Sequence, residues 1–143
     1  MRNQKGFTII ELIVVIAIIA VLAAIVLVNV TQYVAKGKNS AIKGNMASLM
    51  TNAATYFDEN PGKTGSDFVG NSTVGCGTNS PIKNAVTGAG GNLVCYGSTD
   101  SESWCATSSL LGNESAQSWC VDSTGYKGYK GSDGCTTSKF TCQ

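Results

Sequence analysis

Glu11 is the residue of this chain with the clearest chemistry to perform. It follows Phe7 by four positions in the run FTIIELIVVIAIIAVLAAIVLVNV, Phe7 to Val30, and is the only charged side chain among those 24 residues. About 20 apolar residues suffice for a helix to cross a bilayer. An ionisable group inside such a helix is costly and marks a function rather than an anchor. Ahead of the run stands Met1-Arg2-Asn3-Gln4-Lys5-Gly6, a polar hexapeptide with two cationic side chains. Cleavage after Gly6 would free the α-amine of Phe7, and a helix starting there sets Glu11 one turn away on the same face. The positive end of the helix dipole lies there too. Three partners are open to the carboxylate: a proton, the amine of its own chain, and the amine of a neighbouring copy. A charge pair at ~4 Å with an effective dielectric near 20 contributes about 4 kcal/mol, comparable to the cost of a charge in the bilayer. Pairing can therefore decide whether copies associate.

The second set of reactive side chains is the cysteines, Cys76, Cys95, Cys105, Cys120, Cys135 and Cys142, all in the second half of the chain. An even number in an exported segment reads as disulfides. No pair has a CxxC spacing and histidine is absent, so a metal site is not expected. Six cysteines allow about 15 connectivities and the sequence does not select one. A hairpin reading prefers Cys105–Cys120 and Cys135–Cys142, leaving Cys76 with Cys95. The first would close a loop of about 15 residues, worth roughly 3 kcal/mol on the chain-entropy model.

Other chemistry is sparse. Without histidine no nucleophile–base constellation can be written, so no enzyme and no cofactor are expected. Asp122 and Asp133 could bracket a calcium loop, but two carboxylates are too few for a site needing six to eight oxygens; a solvated loop is the expectation. Asn71-Ser72-Thr73 and Asn113-Glu114-Ser115 fit a glycosylation pattern that recurs by chance. Tyr126, Lys127, Tyr129 and Lys130 form a basic-aromatic tetrad able to stack on nucleic acid. Yet eight lysines balance eight acidic residues from Thr31 to Gln143, leaving no basic field to bind nucleic acid.

These groups must be positioned by a few elements. The two cations before Gly6 keep that end in the cytoplasm and send the remainder across the membrane. After Thr31, Ile42, Met46, Leu49, Ala53 and Phe57 recur at helical spacing and form one stripe that covers a sheet. Asn60-Pro61-Gly62 ends the helix, so Phe7 to Asn60 would extend ~80 Å. Residues 61–92 read as a long surface loop with a short strand or helical turn at most, and Gly88 to Gly91 as a flexible stretch. Three strand-like runs follow, Asn92–Gly97, Ser103–Leu111 and Ser118–Asp122. Ser-Trp-Cys occurs twice, at Ser103–Cys105 and Ser118–Cys120, and a hairpin turning near Gly112-Asn113 would set the cysteines opposite one another, and the tryptophans likewise. From Asp122 the chain reads as loop. The organisation expected is a leader at 1–6, an assembly helix at 7–30, its amphipathic half at 31–60, and a turn-rich, disulfide-stabilised head at 61–143 that needs covalent support for a limited core.

The stretch KGFTIIELIVVIAIIAVLAAI resembles the type IV prepilin signature, shared by pilins and by the pseudopilins of type II secretion. The resemblance covers about the first quarter of the chain. It implies that a membrane-embedded prepilin peptidase cuts between Gly6 and Phe7 and N-methylates Phe7, and that Glu11 neutralises the amino terminus of a neighbouring subunit. It further implies an α+β pilin-like fold, a long N-terminal helix on a small antiparallel sheet. The partners implied are other copies in a homo-oligomeric filament and a pilus or secretion assembly platform. The chain would be a single-pass membrane protein with its C-terminus outside before assembly, and part of an extracellular pilus afterwards. Many members carry Gly and Pro where this chain has Ala20 and Val28; Gly37 and Gly44 supply helix-weakening positions further along. C-terminal disulfides lean toward a pilin and away from the calcium-loop pseudopilin. An ordinary signal peptide fits poorly, because the apolar run exceeds 7–15 residues and carries Glu11.

Overall fold

A computed structural model describes residues 6–131 and 134–143. Residues 1–5 of the expected leader, and Asp133, lie outside the described residues. The chain divides into two units, one ending at Val34 and one running Ala35–Gln143.

One helix, α1, runs Ile9–Glu59 over 51 residues. In the first unit its apolar side chains face outward; Ile9, Leu12, Ile19 and Leu22 are all exposed. Among the described residues it is the helix long and apolar enough to cross a membrane, and its most apolar window buries nothing within the fold.

In the second unit the expected stripe is the core-facing side of α1. Ile42, Met46, Leu49 and Ala53 are buried, and Phe57 packs against them at the edge. Four strands form an antiparallel meander in the order β1 (Leu93–Gly97), β2 (Trp104–Ser109), β3 (Ser118–Asp122) and β4 (Lys127–Tyr129). Period-two alternation turns Leu93, Trp104, Ala106 and Val121 toward α1, and the same cluster takes in Phe68, Ile82 and Val86. Asn39, buried beside this core, donates from Nδ2 to the Leu111 carbonyl at 3.0 Å and accepts the Leu111 N–H at 2.8 Å. A side-chain amide thereby completes backbone hydrogen bonding just past the end of β2.

The strand expectations for β1, β2 and β3 match the structure, but the region before them differs. Residues 61–92 hold two short helices, α2 (Gly65–Gly70) and α3 (Pro81–Gly88). A capping box starts α2: Thr64 accepts from the Asp67 N–H, and the Asp67 carboxylate accepts from the Thr64 N–H. These bonds hold the Asp67 carboxyl below the usual carboxylate range, the Thr64 backbone N–H contributing most. Ser80 caps α3, Pro81 supplies its pre-set first turn, and Ile82 and Val86, four apart, reach the core. The glycines after α3 form its exit turn, with Gly90 at φ +97°. Residues from Asp122 onward were expected to be loop, yet Lys127–Tyr129 pairs with Val121–Trp119 as β4.

The N-terminus of α2 is pressed onto the β1–β2 turn. Gly65 donates to the Ser101 carbonyl at 2.8 Å, Ser66 donates to Ser98 at 2.8 Å, and a Cβ on Gly65 would fall inside the Ser103 carbonyl. Gly65→Ala is expected to destabilise the second unit by about 3 kcal/mol through overpacking against backbone. Thermal unfolding of the detergent-solubilised chain should show Tm lower by about 10 °C, whereas Gly70→Ala, with open space around it, should move it far less.

Candidate functional site

The chemistry singled out in the first unit begins at a junction that α1 does not include. Gly6, Phe7 and Thr8 precede the helix, and the Phe7 side chain is 89% exposed. The peptide bond between Gly6 and Phe7 therefore lies in non-helical, exposed backbone, the state an endopeptidase requires, because a helical segment must first unwind to enter a cleft.

Thr8 and Glu11 then form a reciprocal cap on α1. The Thr8 N–H donates to Glu11 Oε2 at 2.9 Å and the Thr8 hydroxyl donates to the same oxygen at 2.8 Å. The Glu11 N–H donates back to Thr8 Oγ1 at 3.3 Å. This is a capping box, which satisfies N–H groups that have no acceptor within the helix. Sequence reasoning fixed on Glu11 and missed Thr8, although Thr8-x-x-Glu11 at the start of an apolar run is the recognisable signal of such a box. The carboxylate thus has a local partner within its own chain in addition to the three considered from sequence. Both donors converge on one oxygen.

The six cysteines of the second unit form three disulfides, Cys76–Cys95, Cys105–Cys135 and Cys120–Cys142. The preferred Cys105–Cys120 and Cys135–Cys142 pairs are not formed. In the observed register Cys105 faces Asp122, Cys120 faces Thr107, and Trp119 faces Ser108. Antiparallel strands run opposite ways, so two copies of Ser-Trp-Cys cannot align residue for residue. Cys105 and Cys120 instead share the face turned away from α1, two positions out of register, and each takes a partner from the C-terminal segment. The four sulfurs make a second buried cluster, flanked by Tyr96 and Tyr126.

Asp122 sits within this outer layer, 1% exposed, and not in a solvated loop as expected. Its Oδ2 accepts from the Cys142 N–H at 2.7 Å. Its Oδ1 accepts from the Thr124 N–H, the Thr124 hydroxyl and the Tyr126 N–H at 2.9, 2.6 and 3.2 Å. Both oxygens are spent on fastening the C-terminal segment and the β3–β4 turn. Among the described residues no cluster of three metal-ligating side chains occurs.

The aromatic tetrad also has an internal role. Lys43 of α1 lies 4.9 Å from the Trp119 ring centre and 5.1 Å from that of Tyr129, and bonds to Glu114 at 2.8 Å. Trp119 and Tyr129 meet edge to face at 5.4 Å. Burial pulls the Lys43 pKa down, but bonds to and charge from Glu114 and Tyr129 outweigh it and set the ammonium above the ordinary lysine value. This cation–π clamp ties the edge strand to α1, while Lys127 stays exposed on β4.

One comparison with known proteins falls within the first unit. Residues 1–27 match the family described as the prokaryotic N-terminal methylation motif. Fimbrial protein Q of Moraxella bovis is 38% identical over 98 residues, 64% of this chain and 62% of that protein. The type IV major pilin protein PilA of Myxococcus xanthus (strain DK1622) is 44% identical over 57 residues, 40% of this chain and 26% of that protein. The type IV major alpha-pilin of Moraxella bovis is 40% identical over 63 residues, 43% of this chain and 40% of that protein. The chain spans between about a quarter and three fifths of the length of these curated relatives. No solved structure matches it.

Proposed function

We propose that this chain is a type IV pilin-like protein, a structural subunit of a type IV pilus, processed at its N-terminus and polymerised through α1. The carrying observation is a helix half whose described large apolar side chains face outward and whose single charge sits in the first turn. A free globular protein has no use for such a surface. It suits a bilayer first and a bundle of like helices afterwards. The pseudopilin reading shares this chemistry, but the three relatives are pilins or a fimbrial protein.

In this reading prepilin peptidase hydrolyses the exposed Gly6–Phe7 bond on the cytoplasmic side, and the freed amine of Phe7 is methylated. Methylation keeps the nitrogen cationic. Glu11 Oε2 is held by Thr8, so the amine of an adjacent copy would approach Oε1. The charge is then neutralised as the subunit leaves lipid for the filament. An assembly platform of the pilus or secretion type supplies the extraction, and the oxidising exterior sustains the three disulfides that brace the exported head.

The test is mass spectrometry of fibres sheared from cells that make this chain. A mature N-terminus at Phe7 carrying one methyl group is expected. Fibres lacking the chain, or a chain retaining Met1, would overturn the proposal. Replacing Gly6 with Leu should add a side chain at the cleavage position and leave full-length protein in the membrane, at a processed fraction reduced by at least about tenfold; immunoblotting of membranes reads this directly.

A further inference from the structure

A cavity of about 800 Å³ opens between the last turns of α1 and the β3–β4 turn. Met50, Ala53 and Phe57 give it an apolar floor, and Asp58 and Glu102 are its exposed acidic rim. No lysine or arginine lines it. Among the described residues the ion pairs are Lys43–Glu114 and Lys63–Asp67, so neither rim carboxylate is paired. Asp58 is doubly placed against its surroundings. It sits with Glu59 in the last turn of α1, which has no basic residue, beside the negative end of the helix dipole. Among the described residues no ion pair offsets this arrangement. Exposed Lys127 stands two residues beyond Gly125 of the cavity wall, and exposed Lys63, five residues past Asp58, pairs with Asp67.

The same helix carries the complementary charge at its other end within this unit. Lys36 and Lys38 are exposed and without an ion pair among the described residues. Exposed Tyr33 and Val34 precede them on α1. A cationic stretch with apolar neighbours is the chemistry that an acidic rim over an apolar floor accepts. We infer that the cavity receives the Lys36–Lys38 stretch of a second copy of this chain. Twenty to twenty-two residues separate the two charge clusters along α1, so copies in contact are offset axially by about 30–33 Å. Such a contact joins different surfaces of the two copies and cannot close on itself, so it propagates as a fibre. This inference rests on the filament reading above and adds a specific head-to-helix contact to it.

Charge reversal in the full-length chain, expressed in cells that build the fibre, tests it. The pair Lys36→Glu with Lys38→Glu should lower the ratio of fibre to membrane-bound subunit about tenfold, and Asp58→Lys with Glu102→Lys should do the same. Processing at Phe7 and membrane abundance should stay unchanged. Combining all four changes should restore most of the fibre. As a second measurement, a photo-crosslinking residue at exposed Ala54 should join the peptide containing Lys36 and Lys38 of another copy in sheared fibres. Unchanged fibre yield with either pair, no recovery in the fourfold variant, or crosslinks to the Lys127–Lys130 segment or to a different protein would overturn the inference. The filament reading fails separately, by absence of the wild-type chain from fibres.

Discussion

Glu11→Gln is expected to abolish fibre formation while leaving α1 capped and the Gly6–Phe7 bond cut. The substitution separates the capping role seen in the structure from the proposed charge pairing with a neighbour. As the third helical residue, Glu11 accepts from the Thr8 N–H and hydroxyl, and an amide oxygen serves a capping box equally well. Glutamine therefore keeps the local role. It loses the charge, and with it a pair worth about 4 kcal/mol in each subunit contact, roughly a thousandfold in the association constant. Glu11→Ala should fail to assemble for the same reason and in addition lose the cap, at about 1 kcal/mol. Neither change should reduce membrane insertion, since each removes a charge from an apolar helix. The readings are fibre counts by electron microscopy and the processed subunit in membranes by immunoblot. Assembly of the glutamine variant at wild-type level would mean that capping alone is the function of Glu11, and that no amine of a neighbour depends on it.

Thr8→Val gives the converse. It removes the hydroxyl from the box but leaves both charges in place, so fibres should form at a reduced level. That ordering, valine above glutamine, is specific to a charge-driven contact.

The legibility of this chain follows the range over which each signal acts. The long helix and its stripe were readable because Ile42, Met46, Leu49 and Ala53 declare their period over several turns. Short elements declare themselves by caps, and here Thr64-x-x-Asp67 and Ser80-Pro81 outweighed a Gly- and Ser-rich composition that suggested loop. The third strand pairing was invisible for a different reason: Lys127-Gly128-Tyr129 has one aromatic residue, and only the register against Trp119 makes it a strand. Disulfide partners depend on that same long-range register. Reading Ser-Trp-Cys as a mirrored pair ignored that antiparallel partners run in opposite order, and the error moved two of the three bridges. At the candidate site, Gly6, Phe7 and Glu11 could be named from a local pattern. Their local partner Thr8 was equally local and overlooked. The acidic groove and the Lys43 clamp each combine α1 with residues far along the chain, so no reading by spacing could assemble them.

Asp122→Ala is expected to loosen the C-terminal segment as much as removing a disulfide would. The Cys120–Cys142 bridge closes 22 residues, worth about 3 kcal/mol by loop entropy. The bridge constrains the unfolded chain but does little to choose how the segment lies in the folded one. That choice falls to the Asp122 carboxylate, which is buried between the outer disulfides and takes the Cys142 N–H at 2.7 Å and the Tyr126 N–H at 3.2 Å. Alanine leaves both donors without their acceptor inside the fold, and bonds to a carboxylate contribute about 1.5–3 kcal/mol each. A loss of about 3 kcal/mol or more follows, read as a lower denaturation midpoint of the detergent-solubilised chain with all three disulfides intact. Asp122→Asn refines the assignment. Its remaining oxygen can still serve the Thr124 and Tyr126 donors, but its NH₂ group would confront the Cys142 N–H, donor against donor. Asparagine should therefore release the Cys142 end alone, with faster proteolysis after Lys139 and a smaller change in midpoint than alanine. Equal proteolysis of wild type and both variants would show that the bridges by themselves hold the outer layer in place, and would leave the buried carboxylate without the fastening role that its four donors indicate.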